Sequence, residues 1–330
     1  MMPLVAIDAT SWDSALPAAL GAAGRPETVV GAVHSVHDRV VNLRIGDGLI
    51  ALADDVLDDA PCTVRMPFHM LPRVLQGAEA RVGADGILVD ADGCRLHARL
   101  HGDRGWTPPP ASGGRVPVDA IDAAMTVLDR YRGLPLQTDL GRASAALLDA
   151  GIAELHRTAA ILLSAHAASA AMAPSASRPA TPHDSAAADH VAMAARRLVG
   201  LGEGLTPSGD DILTGLAFLS ARPALGLDAM RAPLRTVIGS AGPATSLLSV
   251  TTMRAAVEGR GRARLHDLAD AVEAGDLRAV EGSAARILEI GHSSGADILT
   301  GIRLALDLAR VTETPHSPEQ HAPHQKENPA

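Results

Sequence analysis

The sequence predicts an α+β protein: a small N-terminal antiparallel β domain, a barrel or a sandwich, followed by a mainly α-helical domain with an internal repeat. Three observations predict it. Residues 28–100 alternate apolar and polar side chains, and from about 117 onward apolar side chains recur at helical spacing. The octapeptide SGDDILTG at 208–215 returns as SGADILTG at 294–301, with seven of eight positions identical. A period of two lines one face of a strand and a period of 3.6 one face of a helix, so the switch marks a change of architecture. The repeat is not low-complexity, and it predicts two equivalent helices packed about a local pseudo-two-fold axis.

Taken in order, residues 1–27 form an N-terminal segment with Asp8 and no basic stretch, which argues against a secretory leader. In the β-rich domain, 28–110, Val41, Leu43 and Ile45 alternate with Asn42 and Arg44. Cys94, Leu96, Ala98 and Leu100 alternate likewise with Arg95, His97 and Arg99. Gly46-Asp47-Gly48, Asp85-Gly86 and Asp92-Gly93 stand between the runs as hairpin turns. The stretch 103–116, with Pro108-Pro109-Pro110 and Gly113-Gly114, is a boundary.

The helical domain, 117–311, carries apolar periodicity over 118–132 and 140–172, with Gly141 and Gly151 as candidate breaks. It resumes at 188–199, 210–221, 230–239, 244–258, 263–274, 277–289 and 296–311. Residues 173–187, rich in Ala, Ser and Pro, read as a disordered insert, and 312–330 as a disordered tail.

Composition narrows the function. A chain of 330 residues with 47% hydrophobic content can build two cores. Net charge is −9, with 28 arginines but a single lysine, Lys326, which disfavours nucleic acid and anionic membranes as partners. Aromatic side chains are scarce (Trp12, Trp106, Tyr131, Phe68, Phe218), so base-stacking platforms are not expected. Cys62 and Cys94 make neither a disulfide framework nor a metal cluster, and no apolar run is long enough for a membrane span. These features predict a cytoplasmic protein with a small anionic ligand.

The chemistry concentrates at GLGEGLTPSGDDILTG, 200–215. Three alternating glycines, Gly200, Gly202 and Gly204, lead through Thr206-Pro207-Ser208 to Gly209, Asp210 and Asp211 at a helix start. Ser208 reads as an N-cap and Asp211 as its capping-box acid. Free N–H groups and the helix dipole make such a start an anion site. Ser294, Gly295 and Asp297 are the equivalents in the second copy, where Ala296 stands opposite Asp210. Repeat structure therefore does not require the acid at 210, which marks Asp210 for chemistry: a general base, an acceptor for an amide nitrogen, or, with Asp211, an oxygen-only Mg²⁺ site. Thr206, Ser208 and the N–H groups at Gly209 are candidates to hold phosphate or carboxylate. His292, just before the second helix, is a candidate base or donor. Thr251 and Arg254 are further ligand candidates, the arginine as a bidentate clamp. The loop is neither a dinucleotide fingerprint nor a P-loop.

The long first motif, the GHSSGADILTG that follows and the segment TSLLSVTTMRAAVEGRGR at 245–262 together resemble the AllH family. The likeness is strong over about 190–310 and loose over 28–110. It implies a subunit of a carbamoyltransferase that interconverts N-carbamoyl-oxamate plus phosphate with oxamate plus carbamoyl phosphate in allantoin breakdown, active with two further subunits. In that reaction Asp210 is expected to orient or deprotonate the amide nitrogen, and the Thr206–Gly209 turn to hold phosphate. Two other readings stand beside it. One is a non-catalytic assembly or ligand-sensing subunit; the other is a stand-alone Mg²⁺-dependent hydrolase using Asp210, Asp211 and Asp297.

Overall fold

Period-two alternation becomes strands, and the switch in period near 117 becomes a change of lobe. The computed structural model describes residues 2–16, 29–83, 85–111, 113–131, 139–172 and 182–313. The strands are β1 (Leu4–Asp8), β2 (Ser11–Asp13), β3 (Val29–Val36), β4 (Val40–Ile45), β5 (Gly48–Asp54), β6 (Thr63–Met66), β7 (Glu79–Gly83), β8 (Gly86–Ala91), β9 (Cys94–Arg99) and β10 (Gly105–Trp106). They form one curled, half-barrel sheet in the order β1-β9-β8-β7-β3-β4-β5-β6-β2-β10. The three expected hairpins join β4 to β5, β7 to β8 and β8 to β9.

The sheet is mixed, not purely antiparallel. β1 runs parallel to β9, β2 to β10 and β5 to β6. Antiparallel neighbours need only a tight turn, which local sequence signals; parallel neighbours are joined by longer connections that leave no such mark. The first two strands also lie in the segment expected to precede the β domain, so that domain reaches back to Leu4.

β4 and β5 are buried on both faces. Val41, Leu43, Ile50 and Leu52 point into the β-lobe core, while Asn42, Leu49 and Ala53 on the opposite face are also buried. The helical lobe covers that second face, which is why a polar Asn42 is only 3% exposed in a strand expected to be half-buried.

Nine helices follow among the described residues: α1 (Val118–Leu128), α2 (Asp139–Met172), α3 (Pro182–Arg196), α4 (Ser208–Ser220), α5 (Asp228–Gly239), α6 (Leu247–Val257), α7 (Ala263–Ala274), α8 (Leu277–Leu288) and α9 (Ser294–Glu313). α2 runs unbroken through Gly141 and Gly151. At Gly151 a Cβ would stand 2.6 Å from Leu198, so that glycine serves packing against the end of α3 and breaks nothing. Residues 173–181 of the expected insert, and 314–330 of the expected tail, lie outside the described residues, whereas 182–187 belong to α3. Among the described residues no helix is long and apolar enough to cross a membrane.

The helical lobe has its own core, which includes Leu213, Leu216, Phe218, Leu268, Ile302 and Leu306. At its centre α4 crosses α9 with backbone against backbone. A Cβ on Gly215 would lie 2.1 Å from the Ile298 carbonyl oxygen, and one on Gly301 1.9 Å from that of Ile212. Gly215 and Ile212 occupy the same places in the first octapeptide as Gly301 and Ile298 in the second, so the contact is reciprocal.

A methyl group at Gly301 cannot be accommodated without parting the helices, and overpacking of this kind costs about 1–3 kcal/mol or more. Gly301→Ala is expected to lower the unfolding free energy from urea titration by at least that amount. Gly282→Ala, at an open position in α8, is expected to raise stability by about 0.5–1 kcal/mol through helix propensity. Equal effects at both sites would mean that α4 and α9 are not in backbone contact.

Candidate functional site

The glycine crossing brings the N-termini of α4 and α9 to one place. The Thr206 hydroxyl lies 2.8 Å from that of Ser294. The hydroxyls of Ser294 and Thr206 act to lower the pKa of Asp211, and that of Ser208 the pKa of Asp297. Each serine therefore serves the acid of the other helix. This corrects the capping expectation. Pro207, not Ser208, holds the N-cap position of α4, and no side chain caps that end. Proline's fixed φ places it at the helix entrance, and Ser208 becomes the first helical residue, turned across the crossing.

Asp211 is the electrostatic centre. It is 5% exposed, and its Oδ2 is buried without a hydrogen-bond partner; Asp297 Oδ2 is orphaned likewise. Burial raises the Asp211 pKa from 3.8 to about 7, against the lowering by Ser294 and Thr206 and with additional raising by Asp297 and Asp210. Burial also raises that of Asp297, opposed by Ser208. Buried polar atoms in native structures are nearly always paired, so an unpartnered oxygen on a carboxyl whose pKa is strongly raised is a mark of function.

Asp210 is placed differently. Its Oδ1 accepts from the Gly200 backbone N–H at 2.8 Å and its Oδ2 from the Thr245 hydroxyl. It is 1% exposed and clasps the glycine loop to the turn before α6. With both oxygens engaged, Asp210 shares no open donor set with Asp211 for the Mg²⁺ considered above. Among the described residues no group of three or more His, Cys, Asp or Glu side chains gathers to hold a metal ion.

Asp211 opens onto a cleft of about 530 Å³ between the lobes. Of the residues singled out in the sequence, Gly204, Thr206, Asp211, Thr251, His292 and Ser294 line it. The outer face of β4 and β5 forms the opposite wall, and the loop 57–63 and the residues entering α7 close one side. Gly202, Ser208, Gly209, Asp210, Arg254, Gly295 and Asp297 are not in its lining. Gly209 and Gly295 serve close packing instead: a Cβ would meet the Leu198 carbonyl oxygen at 2.0 Å and that of Ile287 at 2.1 Å. Arg254, expected as an anion clamp, pairs at 2.9 Å with Asp47 in the β4–β5 turn. The Thr251 hydroxyl donates to the Leu247 carbonyl and accepts from the Leu49 N–H at 3.3 Å, tying β5 to α6.

Sequence reasoning missed one group of lining residues. Arg260 and Arg262 pair across the lobes with Asp13 and Asp58. Asp13, 2% exposed, also accepts at 2.7 Å from the Cys62 N–H. Cys62 holds φ at +55°, the one non-glycine residue with positive φ among those described, and burial followed by the Asp13 charge pushes its thiol pKa up. The GRGRAR run, 259–264, was the available signal for the arginines; nothing local announces the partner aspartates.

Fold and site together define a two-lobed α+β protein with a ligand-sized cleft centred on a buried carboxyl at two helix starts. A family model described as oxamate carbamoyltransferase subunit AllH matches residues 198–306, and one described as the AllH family N-terminal domain matches residues 8–102. The chain belongs to the AllH family. No solved structure matches it.

The Asp211 carboxyl gives stability a pH dependence whose sign follows from linkage. Between its unfolded value of 3.8 and about 7 the native state keeps a proton that the unfolded chain releases. Stability therefore falls as pH rises through that window and levels off above it. Asp211→Asn is expected to flatten the slope and to raise unfolding free energy at pH 8 by up to about 4 kcal/mol. Urea titrations at pH 5 and pH 8 check this; an unchanged difference between the two pH values would mean that Asp211 is ionised in the native state throughout.

Proposed function

We propose that the chain is the ligand-binding subunit of a carbamoyltransferase and that Asp211 is its acid–base group. The observation that carries this is Asp211 itself, buried, with an unpartnered Oδ2, and in the lining of the cleft at the meeting of two helix starts. Family membership supplies the reaction class: phosphate plus N-carbamoyl-oxamate yields carbamoyl phosphate plus oxamate, with further subunits completing the assembly.

A phosphate oxygen attacks the carbamoyl carbon, the C–N bond breaks, and the departing amide nitrogen takes a proton. Asp211 donates that proton, and in the reverse direction its carboxylate removes it. A carboxyl poised near pH 7 suits both directions. Thr206 and Ser294 offer hydroxyls to phosphate and the developing oxyanion near the positive ends of the two helix dipoles, while the N–H groups of Gly209, Asp210, Asp211, Gly295 and Asp297 are already taken by backbone carbonyls. His292, exposed at the rim, is available to the departing group. Two stretches of one ancestral unit, duplicated and turned to face each other, account for the reciprocal glycine and serine–aspartate contacts.

Co-expression with the candidate partner subunits and assay of phosphate-dependent cleavage of carbamoyl-oxamate tests the reading. Asp211→Asn is expected to lower turnover about 10²–10⁴-fold, the usual contribution of a positioned acid or base. Asp210→Asn can keep both of its hydrogen bonds and is expected to stay within a few-fold of wild type. The reverse pattern would return the chemistry to Asp210. Full activity in both variants, within an intact complex, would make this chain an assembly subunit.

A further inference from the structure

The cleft is larger and less polar than a carbamoyl group on oxamate requires. Its volume of about 530 Å³ falls in the range of pockets that take drug-sized ligands. Thr206, Asp211 and Ser294 bring hydrogen-bonding groups to it at the helix starts. Apolar side chains line both walls, Leu49 and Ala51 on the sheet side and Leu248, Ala255 and Leu265 on the helix side, with Asn42, Thr63, Thr251 and Thr252 set among them. The two arginines in the lining do not make an anion site: Arg260 is paired with Asp13, and Arg262 with Asp58. With Asp211 and Glu203 also in the lining, the cleft holds no surplus positive charge for a second anionic group. A substrate with a carboxylate on its acyl side fits such a space poorly, whereas a molecule with a polar head and an apolar body fits it well.

Building on the carbamoyltransferase reading, we propose that the cleft takes acylureas, carbamoylated amides whose acyl part is an apolar chain in place of the carboxylate of oxamate. The ureido N–H groups lie against Asp211, and the acyl chain extends between β5 and α6. Phosphate attack on the carbamoyl carbon then releases the acyl amide, which receives its proton on nitrogen, and carbamoyl phosphate. Each methylene that leaves water on that surface tightens binding about fourfold.

Calorimetric titration of the full chain with acetylurea, butanoylurea, hexanoylurea and N-carbamoyl-oxamate tests this. Affinity is expected to rise about fourfold per methylene, with hexanoylurea binding more tightly than carbamoyl-oxamate. Ala255→Leu, which fills the space between those walls, is expected to abolish the gain at an unchanged thermal midpoint. Ala51→Val offers the same test from a strand if the helix variant does not fold. Equal affinity along the series, or tightest binding of carbamoyl-oxamate, overturns the proposal. Loss of all binding when the partner subunits are added also overturns it, because the cleft is then a subunit interface. Phosphate-dependent cleavage, followed in the assembled complex, separates the two readings. A chain-length gain in binding with no carbamoyl phosphate formed sinks the transferase reading and leaves the apolar cleft standing. Turnover independent of chain length does the opposite.

Discussion

Everything at the site depends on two helices touching through their backbones. Any side chain at Gly215 or Gly301 would hold α4 and α9 apart by the thickness of a methyl group, and the hydroxyls of Thr206 and Ser294 would then lose their contact at 2.8 Å. Close approach also stacks two helix starts, with the positive ends of their dipoles, around the same pair of acids. Helix packing without a glycine contact keeps axes about 8–10 Å apart. The site is thus a consequence of a packing choice made one turn and more inside the helices.

That packing leaves a carboxyl in surroundings that disfavour its charge. An isolated ionised group in a low-dielectric interior is costly, and the usual escape is to neutralise it. Asp211 follows that route in part, held near neutrality by burial and by Asp297 while three hydroxyls pull toward the ionised form across the pair. The sheet contributes the other half of the setting. Because β4 and β5 present one face to their own core and the other to the helical lobe, an apolar wall stands opposite the helix starts. The ties that hold the wall there are polar: Arg254 to Asp47, Arg260 to Asp13, Arg262 to Asp58, and the Leu49–Thr251 hydrogen bond. In every one of these ion pairs the cation is on the helical lobe and the anion on the sheet.

Much of the architecture was legible in sequence, because period and turn chemistry are local. Hairpins at Gly46-Asp47 and Asp92-Gly93 and helices such as α7 and α8 fall where alternation and spacing put them. The parallel strands were not legible, since β1 finds β9 about ninety residues away with no intervening pattern. At the site, the stretch was legible but the division of labour within it was not. Asp210 and Asp211 are neighbours of identical chemistry, and only the third dimension turns one toward Gly200 and Thr245 and the other toward the cleft. The capping box failed for a similar reason: Ser208 had a partner three residues on in sequence and a better one on another helix. The left-handed backbone at Cys62 and the burial of Asp13 beneath it carry no sequence mark at all.

The exchange of serines between the two helices has a bearing on descent. Ser208 answers to Asp297 and Ser294 to Asp211, so each chemical unit runs diagonally, from one octapeptide to the other. A substitution in one octapeptide is felt first by the carboxyl of its counterpart, and compensation must arise more than eighty positions away. The two octapeptides thus form a single electrostatic unit written in two places.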